Sequence, residues 1–170
     1  MKRIALAALC ALACQIAFAQ EGSKTLVNEL VKHWETSKTF SLAVANAMPD
    51  EAYSFKATDA ERSFGGQMNH LATGNTFYCS TALGTKSPLA KPADDTKATV
   101  ISSLNTAYDY CIAGLKGMTD ADLQATASMR GTQISKFELF LGGFTHAAHT
   151  RGQVEVYLRL KGVTPPEYKF

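Results

Sequence analysis

Histidines on two predicted helices are the residues of this chain best suited to binding a metal ion. His146 and His149 lie three residues apart near the C-terminus, and residues at that spacing share a face of a helix. His70, in an earlier helix, could supply a third imidazole nitrogen. Imidazole suits zinc and nickel, whereas the hydroxyl of the neighbouring Thr150 is a poor ligand for such ions. His70, His146 and His149 could together hold a divalent metal ion, zinc or nickel, if the two helices face each other.

Further polar side chains follow His146 along the same helix. Thr150, Gln153 and Tyr157 recur at spacings of three or four residues, so they share one face with His146. Polar groups within an apolar helix are costly unless they are hydrogen-bonded or coordinated. We therefore expect Thr150, Gln153 and Tyr157 to form hydrogen bonds to the metal ligands or to contact a substrate. The alternative for any single histidine here is a hydrogen-bonded core residue.

The helix that carries these residues is predicted from its start and stop signals. Ser135 can cap its first turn, and Glu138 stands three residues later, at the spacing of a capping box. Gly162 and the pair Pro165-Pro166 end it. Most of the intervening residues are apolar, which predicts burial on several faces. Arg159, in the last turn, is interpreted as a structural contact to the C-terminal tail.

Hydrophobic spacing predicts three further long helices and no sustained strand pattern. They are expected at residues 23–47, 63–83 and 96–115, with one short helical turn within residues 119–127 and a loop at residues 128–133. Four long helices joined by connections of moderate length predict an all-α four-helix bundle. In such bundles, sites are built from side chains that project inward from facing helices.

Three segments carry a pattern that is informative when they are taken in chain order. They read HWETSKTFSLAVANAMPDEAYSFKAT, RSFGGQMNHLATGN and HAAHTRGQVEVYLRLKGVTPP. Together they resemble the DinB/YfiT-like superfamily, which implies an up-down-down-up order of helices and a metal held by three histidines. His70 and His146 stand at two of those ligand positions. The third position falls on Thr150, so His149 is a neighbouring replacement and not a family ligand.

The resemblance also implies a range of activities without choosing among them. The superfamily includes thiol-dependent S-transferases, an isomerase and proteins proposed as hydrolases, and its members often form homodimers. We therefore expect a metal-dependent transferase or hydrolase that acts on a small molecule. The alternative is a non-catalytic bundle with a degenerate metal site, which binds a small molecule or serves as a scaffold.

The N-terminus reads as a secretory signal peptide and not as part of the folded domain. A basic start precedes an apolar core of about ten residues, and Ala17-Phe18-Ala19 is a small-x-small cleavage site. The predicted organisation is a signal peptide at residues 1–19 and one DinB-like bundle at residues 20–170, exported to the periplasm or secreted. A lipid anchor at Cys14 is the alternative. We expect no transmembrane segment in the mature chain.

Charge and cysteine content follow from that cleavage. The precursor has 17 basic and 15 acidic residues, and loss of Lys2 and Arg3 leaves 15 of each. Nucleic-acid binding therefore has no electrostatic support. Cys79 and Cys111 are the cysteines that remain in the mature chain. In an oxidising compartment an even pair predicts a disulfide, and two buried thiols are the alternative.

Overall fold

The structure, a computed structural model, describes residues 22–169. The predicted signal peptide and its cleavage before Gln20 lie outside these residues. The long helices are α1 (Thr25–Ala47), α2 (Phe64–Leu83), α3 (Lys97–Lys116) and α5 (Lys136–Leu160). The shorter elements are a 3-10 turn (Asp50–Ala52), helix α4 (Asp120–Gln124) and strands β1 (Thr126–Met129) and β2 (Thr132–Ser135). The four long helices and the all-α class predicted from the sequence are confirmed.

The long helices form a ring in the order α1, α3, α2, α5, so that α1 and α2 lie diagonally opposite each other. Helices α2 and α3 run in the same direction. Near their starts, Asn69 donates a hydrogen bond to Asp95. Near their ends, the side chain of Leu83 lies directly against Gly114.

Helix α1 runs opposite to α3. Near the end of α1, Lys97 at the start of α3 donates to the carbonyl oxygen of Met48 at 3.0 Å. Earlier in α1, Glu35 accepts from Lys116 at the end of α3 at 2.7 Å. Because α2 and α3 are parallel, α1 also runs antiparallel to α2.

Helix α5 runs opposite to α2 and completes the bundle. Tyr157, late in α5, donates to the carbonyl oxygen of Arg62 just before α2. Tyr78, late in α2, packs against Gly142 early in α5. The four directions are therefore up, down, down and up, as the resemblance implied.

Side-chain caps start three of the four long helices at the predicted places. The hydroxyls of Ser63, Thr96 and Ser135 each accept a hydrogen bond from the backbone N–H three residues later. Each bond satisfies one of the four N–H groups that have no partner inside the helix. The boundaries predicted for α2, α3 and α5 therefore agree closely with the structure.

The start of α1 differs from the starts of the other three long helices. Lys24 occupies the cap position and its side chain makes no capping hydrogen bond. The backbone N–H of Val27 instead donates to Asp120 of α4 at 3.0 Å, and the Ser23 hydroxyl donates to the same carboxylate at 2.7 Å. A distant carboxylate thus replaces the local cap, and its negative charge suits the positive end of the helix.

The segment before α5 was predicted to be a loop, and this prediction is wrong. Strands β1 and β2 form an antiparallel hairpin in which Thr126 pairs with Ser135 and Met129 pairs with Thr132. Arg130 and Gly131 form its two-residue turn with φ angles of 53° and 86°. Two consecutive positive φ angles are typical of the turn that matches the twist of a hairpin.

The core lies between the four long helices, and α5 faces it with only part of its surface. Leu141, Val156 and Leu160 of α5 are 41%, 50% and 58% exposed, so the expected burial on several faces is wrong for this side of the helix. Within residues 22–169, no helix is both long and apolar enough to cross a membrane. The largest fully buried side chains include Trp34, Phe40, Phe64, Met68, Leu71, Leu104, Tyr108, Leu115, Leu139 and Phe140.

A disulfide joins Cys79 of α2 to Cys111 of α3, with a Cα–Cα distance of 5.5 Å. Both residues are fully buried. The pairing predicted from the sequence is therefore present. It links the two parallel helices in the last third of each.

Candidate functional site

His70 of α2 and His146 of α5 meet across the interface between these helices. Their Nε2 atoms are 3.1 Å apart, and the ring planes are inclined at 79° with centroids 4.9 Å apart. Both rings are partly buried. The structure therefore brings together these two histidines, which are 76 residues apart in the chain, and their role as metal ligands stays a prediction.

The close approach of the two rings depends on a glycine. Gly74 lies one turn after His70, and a Cβ atom at this position would collide with Cε1 and Nδ1 of the His146 ring. Tyr78, one further turn along α2, lies on the other side of that ring with a centroid distance of 6.2 Å. Glycine 74 thus leaves room for a ring that any larger residue would displace.

The surroundings of both imidazoles favour the neutral form. Burial lowers the pKa of His70 below its ordinary value, and the positive charge of Arg62 lowers it further. Burial likewise lowers the pKa of His146, and the charges of His70 and His149 act in the same direction. Neutral imidazole is the form that offers a lone pair to a metal ion.

The third predicted ligand lies outside this pair. His149 is exposed, and its Nε2 lies 3.2 Å from Nε2 of Gln153, one turn along the helix. Thr150 is 1% exposed and faces the core. Among residues 22–169, no three His, Cys, Asp or Glu side chains are grouped closely enough to hold a metal ion. The role of His149 as a ligand therefore stays a prediction.

Gln153 and Tyr157 line a cleft of their own, and neither His70 nor His146 is among its described lining residues. The cleft has a volume of about 240 Å³ and includes Glu61 on its opposite wall. The Tyr157 hydroxyl donates to the carbonyl oxygen of Arg62 at 3.0 Å. Burial, and then the negative charge of Glu61, raise the pKa of Tyr157, so this phenol remains a hydrogen-bond donor.

His70 itself lines a second opening, which the sequence did not predict. It has a volume of about 230 Å³ and is lined by Arg62, Asn69, Thr73 and Lys91, among others. Arg62 and Lys91 come from connections between helices, where no periodic pattern marks a site. Within the described chain, Oδ1 of Asn69 has no hydrogen-bond partner although the residue is 5% exposed.

The fold and the paired histidines define a class of protein, namely a four-helix bundle with a candidate site between two facing helices. Comparison with known families gives the same result. The sequence model of the DinB family matches residues 22–170. The chain belongs to the DinB family.

Solved structures agree with this fold. A DinB-like protein from Bacillus cereus ATCC 10987 superposes with a TM-score of 0.71 at 20% identity, covering 82% of this chain and 95% of that one. A DinB-like protein from Bacillus subtilis, YjoA, gives a TM-score of 0.70 at 20% identity, covering 82% and 96%. No curated protein sequence matches the chain.

Proposed function

We propose that this protein binds one divalent metal ion, zinc or nickel, between α2 and α5 through Nε2 of His70 and His146. The observation that carries the proposal is the 3.1 Å separation of these nitrogens. Two nitrogens that ligate one zinc ion at about 2.0–2.1 Å lie roughly 3.3 Å apart at a tetrahedral angle. The donor set fits two ligand positions, and water or a small molecule would fill the others.

The same separation also fits a direct hydrogen bond in which one Nε2–H donates to the other ring. Nδ1 of His146 has no partner among the described residues, whereas a ligating histidine usually donates its second nitrogen to a carbonyl or carboxylate. We therefore expect weaker metal binding than a site with three supported histidines would give.

Two openings support a small molecule as a further ligand of the ion. His70, Arg62, Lys91 and Asp95 line one of them, and Glu61, Gln153 and Tyr157 supply polar groups to the other. A bound divalent ion lowers the pKa of a coordinated water or thiol. This chemistry suits a metal-dependent transferase or hydrolase. The Tyr157 hydroxyl, which donates its proton to the carbonyl oxygen of Arg62, would accept a hydrogen bond from the substrate.

Export to the periplasm or out of the cell is part of the proposal. Two features support it: the signal-peptide pattern at residues 1–19 and the Cys79–Cys111 disulfide. Disulfides persist mainly in oxidising compartments. N-terminal sequencing of the exported protein is expected to begin at Gln20, and a pool that begins at Met1 contradicts processing at this site.

The second candidate function is a non-catalytic bundle with a degenerate metal site. Thr150 favours it, because this residue replaces the third histidine that the family resemblance implies and is buried. In that case the His70–His146 contact is a structural hydrogen bond, and the protein binds a small molecule or acts as a scaffold.

Metal titration of protein purified without a histidine tag tests the proposal. Calorimetry with zinc and nickel, together with elemental analysis, is expected to show one ion per chain. His70→Ala and His146→Ala should each abolish this binding, whereas His33→Ala, on α1, should not change it. His149→Ala decides whether a third imidazole takes part.

Thr150→His separates the two candidate functions. If the wild-type protein binds metal, the variant should bind it about tenfold more tightly or better. If the wild-type protein takes up neither ion at micromolar concentrations and only Thr150→His binds, the wild-type site is degenerate, and the non-catalytic function replaces the first proposal.

A further inference from the structure

Arg151 is a buried cation on the side of α5 that faces α1, away from the histidine pair. It is 5% exposed. Its Nη1 atom donates to Ser37 Oγ at 3.0 Å and to Ser41 Oγ at 3.1 Å. Its guanidinium also lies 4.6 Å from the centre of the Phe40 ring.

The hydroxyl network around Arg151 contains no negative charge. Ser37 and Ser41 each form a hydrogen bond with the hydroxyl of Tyr108 on α3, at 2.9 Å and 2.8 Å. These groups and the Phe40 ring stabilise a cation by their dipoles and quadrupole, but no acidic side chain among residues 22–169 forms an ion pair with Arg151. The ion pairs within residues 22–169 involve other side chains.

A buried charge without a counterion is costly, and proteins usually pair it. Within the described chain, all hydrogen bonds of the Arg151 guanidinium come from Nη1. The donors on Nη2 and Nε therefore remain for a further partner. Arg159, interpreted as a structural contact to the C-terminal tail, donates to the carbonyl oxygen of Glu155 on its own helix and lines an opening with Val163, Thr164 and Pro165.

A small cavity lies at the guanidinium. Its volume is about 70 Å³, and it is enclosed by Ser37 of α1, by Phe144 and Ala148 of α5, and by Tyr168 and Lys169 of the C-terminal tail, among others. The ring of Tyr168 stands edge-on to Phe40 at 5.8 Å, which places the tail over the cavity. None of the described residues that line it is acidic, and Lys169 adds a second positive charge.

We propose that this cavity is a binding site for a small carboxylate, held by the guanidinium of Arg151 and covered by the C-terminal tail. The planar fork of a guanidinium matches the two oxygens of a carboxylate. One water molecule occupies about 30 Å³ in the liquid, so a cavity of about 70 Å³ accepts a group the size of formate or acetate. A larger acid does not fit unless the tail moves.

This site is independent of the proposed metal function. The cavity lies between α1 and α5, whereas the histidine pair lies between α2 and α5. Loss of one site therefore leaves the other intact.

Calorimetric and thermal-unfolding titrations with sodium formate and sodium acetate test the inference, with sodium chloride at equal ionic strength and sodium benzoate as comparisons. The wild-type protein is expected to bind formate and acetate saturably and to show a rise in Tm that follows their concentration. Chloride and benzoate should give neither effect. A response to formate no larger than the response to chloride overturns the proposal.

Three variants locate the response. Ala148→Leu fills the cavity without altering Arg151 and should abolish saturable binding in a folded protein. Arg151→Lys keeps the charge but loses the fork, and should weaken binding about tenfold or more. Arg159→Gln, on the exposed side of the same helix, should bind like the wild type. Unchanged formate binding in Ala148→Leu also overturns the proposal.

Discussion

Gly74 determines whether the two candidate metal ligands can meet. In the middle of a helix, replacing glycine by alanine normally stabilises by about 1 kcal/mol. At position 74 the added methyl group would collide with the His146 ring, and overpacking of this kind costs about 1–3 kcal/mol. The collision therefore outweighs the helical preference.

We predict that Gly74→Ala lowers the free energy of unfolding and weakens metal binding by separating His146 from His70. Gly152→Ala is the matched control, because it lies in helix α5 with no atom within 4 Å of the added Cβ. The control should raise stability by up to about 1 kcal/mol. Urea unfolding of both variants measures the difference, and equal stabilisation by both would show that no collision occurs.

Tyr53 gives the protein a dependence on alkaline pH. This residue is 3% exposed and donates to the carbonyl oxygen of Ala45 at 2.7 Å. Burial, and then the charge of Asp50, raise its pKa well above the ordinary value. The folded state therefore keeps the phenol proton at a pH where the unfolded chain loses it. The contribution of Tyr53 to the free energy of unfolding is complete below about pH 10 and is lost as the pH rises through the raised folded-state pKa.

We predict that Tyr53→Phe lowers the free energy of unfolding by about 1 kcal/mol at pH 7, because the hydrogen bond is lost. Between about pH 10 and 11 the variant should lose less stability than the wild type does. Urea unfolding at several pH values measures both effects. Parallel stability curves for the two proteins over this range would contradict the assignment to Tyr53.

At the scale of elements, the start of α1 depends on a residue in α4. Asp120 accepts from the backbone of Val27 and from Ser23. The hydrogen bond from Ser23 lowers the pKa of this carboxyl most, and backbone N–H groups at the start of α1 lower it further. Because its folded-state pKa is depressed, the stabilisation is present above the ordinary carboxyl pKa of about 3.9 and is lost as the pH falls through the folded-state value.

We predict that Asp120→Ala lowers the Tm at neutral pH and speeds amide hydrogen exchange at Val27. The difference in Tm from the wild type should shrink as the pH falls below about 4. Asp59→Ala, in the connection between α1 and α2, serves as the control and should change neither quantity. A Val27 amide that remains equally protected in Asp120→Ala would show that a local group caps α1.

The disulfide ties together two elements that the chain connects through a long loop. Cys79 and Cys111 are 32 residues apart, and a chain-entropy model gives such a crosslink roughly 3–4 kcal/mol. We predict that Cys79→Ala/Cys111→Ala loses about this free energy of unfolding while retaining the helical circular dichroism spectrum. Alkylation under non-reducing conditions should modify neither cysteine of the wild type. Two freely alkylated thiols in exported protein would contradict the bond.

At the scale of the whole molecule, the sequence predicted what local rules determine. Ser63, Thr96 and Ser135 cap helices because each bond forms within one turn. The pairing of His70 with His146 was inferred from a family resemblance. A contact between residues 76 apart in the chain produces no periodic pattern in the sequence.

The features that the sequence did not predict depend on packing between distant segments. Asp120 reaches Val27 across 93 residues, and Arg151 is buried by helices α1 and α3. The hairpin was missed because its strands are only four residues long and contain exposed and half-buried residues alone, as an ordinary polar connection does. The outward position of His149 follows from the rotation of α5, which helical spacing alone does not define.

The ring order of the helices also has a consequence for the newly made polypeptide. Helix α1 packs against α3 and α5 and lies diagonally across from α2, so the first two helices alone cannot bury its apolar face. Burial of α1 waits until residues 97 and beyond have been synthesised, and contacts between such distant segments form slowly. We therefore expect a short nascent chain to remain unfolded, which is the state that the proposed export through a narrow pore requires.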